Sequence, residues 1–156
     1  MVNKFCGFTL ASQLTHYRYD IDPYMVQSGL VTDDLIDMGA YDFAWPVAVE
    51  AWIPAVSLSY YHETPGIGWL DYVIPYVEYS NIIKQDSDFN DSEMLMLGAA
   101  WGSGGWFIYT DLAFSNGNYF VGNEGDNYGA NRVGDFGVNG NDKWNTRFNI
   151  NFGYYF

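Results

Sequence analysis

Trp144-Asn-Thr-Arg-Phe-Asn-Ile-Asn-Phe-Gly-Tyr-Tyr-Phe156 alternates almost without a break. Trp144, Thr146, Phe148, Ile150, Phe152, Tyr154 and Phe156 share one parity, and Asn145, Arg147, Asn149, Asn151, Gly153 and Tyr155 share the other. Successive side chains of a strand point to opposite faces, so the segment predicts one aromatic face and one polar face. It is long for a strand of a soluble domain and close to the length of a tilted membrane-spanning strand with its flanks. An exposed aromatic edge strand is an aggregation hazard in water. A transmembrane β-barrel has a use for it, because lipid takes the apolar side and the lumen takes the polar side.

The rest of the composition follows that lead. Aromatic residues make up 20% of the 156, with 14 Tyr, 11 Phe and 6 Trp. Mean hydropathy is nevertheless near neutral. No run of about 18 apolar residues exists, which rules out a transmembrane helix. Aromatic richness with moderate hydropathy is what strands with one polar face produce. The alternative from the same composition is an extracellular β-sandwich, a carbohydrate-binding module using exposed Trp and Tyr.

The formal net charge of −13 comes from 19 acidic against 6 basic residues, which speaks against nucleic acid as a partner. The acids cluster, with Asp20, Asp22, Asp33, Asp34, Asp37 and Asp42 in one connection and Asp86, Asp88 and Asp91 in another. Such loops raise the local cation concentration, bind Ca²⁺ weakly, or simply keep a loop solvated. Cys6 is the single cysteine, so no intrachain disulfide forms. The first residues lack the long apolar stretch of a secretory signal. An exported barrel needs one, so the expectation is a mature or engineered chain or a piece of a longer one.

Six spans alternate as strands: Lys4 to Tyr19, Val49 to Tyr61, Asp71 to Lys84, Glu93 to Trp101, Trp106 to Ser115 and the terminal ladder. Phe8, Leu10, Leu14, Trp52, Val56, Leu58, Val77 and Leu97 fall on the apolar parity of their spans. Pro54 and Pro75 lack a backbone donor and predict a bulge or a lost ladder bond. Connection sizes alternate. Asn116–Lys143, Gln85–Ser92 and Asp20–Ala48 are long or medium; Gly102–Gly105 and His62–Leu70 are short. Membrane barrels put short turns on the periplasmic side and long loops outside, and this order satisfies that rule at every step. Within the loops, Asn123-Glu-Gly-Asp-Asn has part of a calcium loop's residues without its spacing. Asp33 to Met38 is expected to form a helical turn after Thr32 as N-cap.

The expected fold is all-β, an antiparallel sheet of transmembrane-barrel type with about six strands in one domain over 1–156. Six strands do not close, since small membrane barrels have about eight. Closure then needs a longer barrel, strands from several chains, or an extra strand within Asp20–Ala48. The first is preferred, making this the C-terminal part of a longer polypeptide.

Asp71-Tyr-Val-Ile-Pro-Tyr-Val-Glu-Tyr-Ser80, Leu97-Gly-Ala-Ala-Trp101, Trp106-Phe-Ile-Tyr-Thr-Asp-Leu-Ala-Phe114 and Phe148-Asn-Ile-Asn-Phe-Gly-Tyr-Tyr-Phe156 resemble the C-terminal strands of proteobacterial outer-membrane porins. The resemblance covers roughly Val49 to Phe156 and lies in strand grammar. It implies a barrel of about sixteen strands, often a homotrimer, in the bacterial outer membrane. Lipid and lipopolysaccharide would surround it, and the outer-membrane assembly machinery would read its C-terminal signal. Asn149, Tyr154 and Phe156 match that signal, whereas Asn151 stands where a glycine is usual and Gly153 is displaced by two. The implied function is a water-filled channel for passive diffusion of small hydrophilic solutes or ions; the acidic loops suggest a preference for cations.

Glu78, Asp111 and Arg147 are charged residues on the polar parity, with Tyr109, Asn149 and Asn151 beside them. They are the expected pore-lining set, with Arg147 near Asp111 and Glu78 a row or two away; a structural ion pair is the simpler alternative. Trp101, Trp106, Tyr154 and Phe156 are expected to form the aromatic girdle at the inner interface. No cofactor is expected. Catalysis has little to build on, because His16 and His62 are the only histidines. Ser12 and Asp20 flank the first loosely, and Ser57, Ser59 and Glu63 flank the second, short of a Ser-His-acid signature. Gly102-Ser-Gly-Gly105 opens no helix, so it is a turn and not a phosphate cradle.

Overall fold

The structure, a computed structural model, describes residues 1–22, 35–38, 45–86, 91–117 and 144–156. The described residues form ten strands in chain order: β1 (Val2–Phe5), β2 (Phe8–Arg18), β3 (Leu35–Met38), β4 (Trp45–Ala48), β5 (Glu50–Tyr60), β6 (His62–Glu63), β7 (Tyr72–Lys84), β8 (Ser92–Ser103), β9 (Trp106–Asn116) and β10 (Trp144–Tyr154). Eight of them form one antiparallel sheet in the order β1-β2-β5-β7-β8-β9-β10, with β6 paired to β7. That sheet is not closed, and β1 and β10 are its edges. The described residues form no helix. The six expected spans correspond to the six long strands, and the parity read for each is the one its register gives.

Two expectations are corrected, and a third is made definite. The first span is two strands, because the chain reverses at Cys6-Gly7 and Phe5 pairs with Phe8. Both turn residues have positive φ, 47° and 84°, the I′ geometry whose twist matches its strands. The helical turn over Asp33 to Met38 is absent where described, since Leu35–Met38 is strand β3. β4 satisfies their backbone groups in the register Ile36–Val47, which a single helical turn would leave largely unpaired. This hairpin within the longest connection pairs only with itself and leaves the main sheet open. Asp111 sits opposite Asn149, while Arg147 sits opposite Ala113 one row away.

The two prolines cost ladder bonds without shifting register. Between β5 and β7 the pairs Trp52–Ile83 and Ala55–Ser80 flank a break at Pro54. His62–Val73 resumes the same register beyond a second break at Pro75. A missing N–H removes one bond; a bulge would have offset every later pair.

The sheet has one face of each kind and little covering either. Among the described residues the buried apolar side chains are Ala48, Ala51, Leu70, Ala100 and Ala113, too few and too small to form a hydrophobic core. Phe148, Ile150 and Phe152 are 64%, 63% and 74% exposed. Leu14, Trp52, Val56 and Leu97 on the same face are exposed as well. Each such side chain forgoes roughly 1.5–3 kcal/mol of burial. Over the whole face the total exceeds the ~5–15 kcal/mol net stability of an ordinary domain.

The strands are staggered as in a tilted sheet. One row of register partners runs Thr9–Ser59–Tyr76–Gly98–Asp111–Asn149. Thr9 is the second residue of β2, whereas Asn149 lies five residues before the end of β10. The sheet's end thus steps by four residues over five strand spacings. That is roughly 13 Å in 24 Å, a tilt of roughly 30°. All the tight turns and Phe156 lie at one end; the connections 19–49, 85–91 and 117–143 leave from the other.

Candidate functional site

Three adjacent rows bring the six expected pore-lining residues onto the polar face. Tyr109 is paired with Asn151, Asp111 with Asn149, and Arg147 shares the next row with Glu78 through Ala113 and Met96. Asn149 Nδ2 donates to Asp111 Oδ1 at 2.7 Å, and Asp111 is only 7% exposed. Its carboxylate is therefore held in place by its cross-strand neighbour. Ser57 Oγ donates to Glu78 Oε1 at 3.0 Å and fixes the second acid on the same face, on β7 two strands from Asp111. Glu78 and Arg147 are three strand spacings apart along their row, roughly 14 Å. The row thus carries an acid toward one end and a base toward the other.

At the tight-turn end the polar face turns aromatic, which the sequence reading overlooked. Phe107 packs against Tyr109 at 5.5 Å and Tyr155 at 5.2 Å between ring centroids. Tyr61 stacks on Tyr72 at 5.5 Å. Phe107, Tyr72 and Tyr76 each face a glycine across the strand, respectively Gly153, Gly102 and Gly98, where a Cβ would run into the ring. The readable signal was an aromatic on the polar parity with glycines on the flanking spans.

On the apolar face, Trp106 and Tyr154 are cross-strand partners at the tight-turn end, and Trp101 lies one row in, paired with Ile108. Trp101 Nε1 donates to Thr110 Oγ1 at 3.0 Å, so its polar edge is satisfied. Trp69 joins this belt from the turn after β6, stacking on Trp106 at 6.4 Å, and was missed because it lies outside any alternating span. Phe156 follows the end of β10 and is fully exposed. A second belt lies at the other end, where Trp144, Phe114 and Trp52 share the apolar face and His16 lies on Trp52 at 4.3 Å. Tyr154 and Trp144 are ten positions apart on β10. That is about 33 Å along the strand, or about 25–29 Å along the normal at tilts of 30–40°.

The polar residues beyond this second belt are ionic. Glu50 pairs with His16 at 3.0 Å and Arg18 at 3.7 Å, and Arg18 also reaches Asp20 at 3.7 Å. His16 thus has Glu50 as its acidic partner, not Asp20. Tyr79 donates its hydroxyl to Glu93 at 2.7 Å. Among the described residues no group of three or more His, Cys, Asp or Glu could hold a metal ion. Asn123-Glu-Gly-Asp-Asn, Asp33, Asp34, Asp42 and Asp88 lie outside the described residues. No family model, curated protein or solved structure matches this chain.

Proposed function

We propose that this sheet is part of the wall of an outer-membrane β-barrel channel of the porin type, passing small hydrophilic solutes or ions by diffusion. The observation that carries the reading is the predominantly apolar face, exposed across six long strands and bounded by aromatic belts about 25–29 Å apart. An apolar band of about 25 Å between two aromatic girdles is the dimension of an outer-membrane barrel. The opposite face, with Glu78, Asp111, Arg147 and their amide neighbours, lines the water. The tight turns then lie on the periplasmic side, and the acidic connections lie outside, where they attract cations.

Such a sheet cannot stand in lipid with open edges. Roughly half the backbone groups of β10 point away from β9, and each costs several kcal/mol unpaired in hydrocarbon. Strands beyond those described complete the barrel. The β-sandwich reading would need a second sheet over the apolar face, and the described residues offer only the short β3–β4 hairpin. Planar bilayer recording on the closed barrel, this chain assembled with the strands that complete it and reconstituted from detergent, tests the proposal. Stepwise ohmic conductance with cation-favouring reversal potentials is expected; a chain that folds in buffer as a soluble monomer and never conducts would refute it.

A further inference from the structure

The aromatic end of the polar face has an order that a generic water-lined wall does not require. One row reads Tyr72–Gly102–Phe107–Gly153, alternating ring and glycine over four strands, and Tyr76–Gly98 repeats the pair toward the centre. At each glycine the facing ring occupies the space of a missing Cβ, so the ring leans over the neighbouring strand. The rings therefore lie along the wall and present their flanks. Tyr61, Tyr109 and Tyr155 extend this surface and are themselves exposed. Directly beside it stand the carboxylate of Asp111, bonded to Asn149, and the amide of Asn151.

We propose that this aromatic surface is a binding site for pyranose rings, so that the channel favours saccharides over other neutral solutes of equal size. The inference rests on the channel reading and names its solute class. A pyranose presents a patch of C–H groups edged by hydroxyls. The ring faces of Tyr and Phe carry negative charge density that attracts such C–H groups. The phenols, amides and carboxylates of the adjacent rows take the hydroxyls, in the manner of an apolar site with a few placed polar groups. The nearest charged group, the Asp111 carboxylate, is already bonded to Asn149 and accepts from a sugar hydroxyl in the same way.

Titration of the full chain in detergent micelles with cellobiose, followed by saturation-transfer NMR, tests the site without needing conductance. Cellobiose should bind saturably, and sorbitol, an acyclic polyol without a ring face, should not. Tyr109→Ala and Tyr155→Ala, both at exposed positions, should each weaken cellobiose binding roughly tenfold, with Tyr109→Phe restoring most of it. Absence of saturable cellobiose binding, an equal response to sorbitol, or stronger binding of tetramethylammonium overturns the proposal. Conductance of the same preparation separates the two readings. A conducting chain indifferent to cellobiose removes the saccharide site alone, and a chain that binds cellobiose without conducting removes the channel alone.

Discussion

Phe107 illustrates how single residues are placed by their neighbours. Its ring fits because Gly153 offers no Cβ, an aromatic filling of a strand glycine. Gly153→Ala should therefore cost about 1–3 kcal/mol by overpacking, read as a lower urea midpoint in detergent. Adding Phe107→Ala should recover part of that loss; strictly additive losses would mean the two positions are uncoupled. Arg147 is legible in a different way. Period-2 parity placed it, Glu78 and Asp111 on one face without any knowledge of pairing. Which of them are opposite one another needed the register, and that put Asn149 against Asp111. Arg147→Glu should move the bilayer reversal potential further toward cation selectivity. An unchanged potential would show that its side chain does not face the permeating ions.

At the scale of the element, the turn at Cys6-Gly7 shows where the pattern was misread. Phe5 and Phe8 differ in sequence parity yet stack on one face at 5.6 Å, because a two-residue turn restarts the alternation. Phe-Cys-Gly-Phe lacks the Asn-Gly or Asp-Gly that usually announces such a turn. Cysteine is not among the residues that enter the left-handed region readily, whereas asparagine is. Cys6→Asn should stabilise the hairpin by about 0.5–1 kcal/mol, and Cys6→Val should destabilise it, both read by urea unfolding. Pro54 was legible as a lost donor, and the register that survives it identifies a missing bond without a bulge. Pro54→Val should add about 1 kcal/mol if the new N–H meets an acceptor on β7; no gain would mean the local twist, not the missing donor, breaks the ladder. The hairpin β3–β4 was not legible, because Leu-Ile-Asp-Met is too short to distinguish strand from helix by periodicity.

For the whole molecule, alternation carried the fold class and the two faces, since both depend only on local parity. It could not supply closure, which depends on partners for the edge strands β1 and β10. Alternation does separate the two aromatic populations by parity, but which ring meets which glycine depends on the register. Stagger links these scales. The step of four residues across the sheet converts the Trp144–Tyr154 separation into a bilayer-sized band, so strand tilt and belt spacing describe one geometry.

Site-directed spin labelling along β10 tests that geometry most directly. Single cysteines at positions 147 to 152, in a Cys6→Ser background, are labelled in reconstituted bilayers and probed with lipid-soluble oxygen and a water-soluble nickel chelate. Labels replacing Phe148, Ile150 and Phe152 should meet oxygen, and those replacing Arg147, Asn149 and Asn151 should meet the chelate, with a strict period of two. Chelate access at both parities, or oxygen access at the asparagine positions, would contradict a sheet with lipid on one side and water on the other.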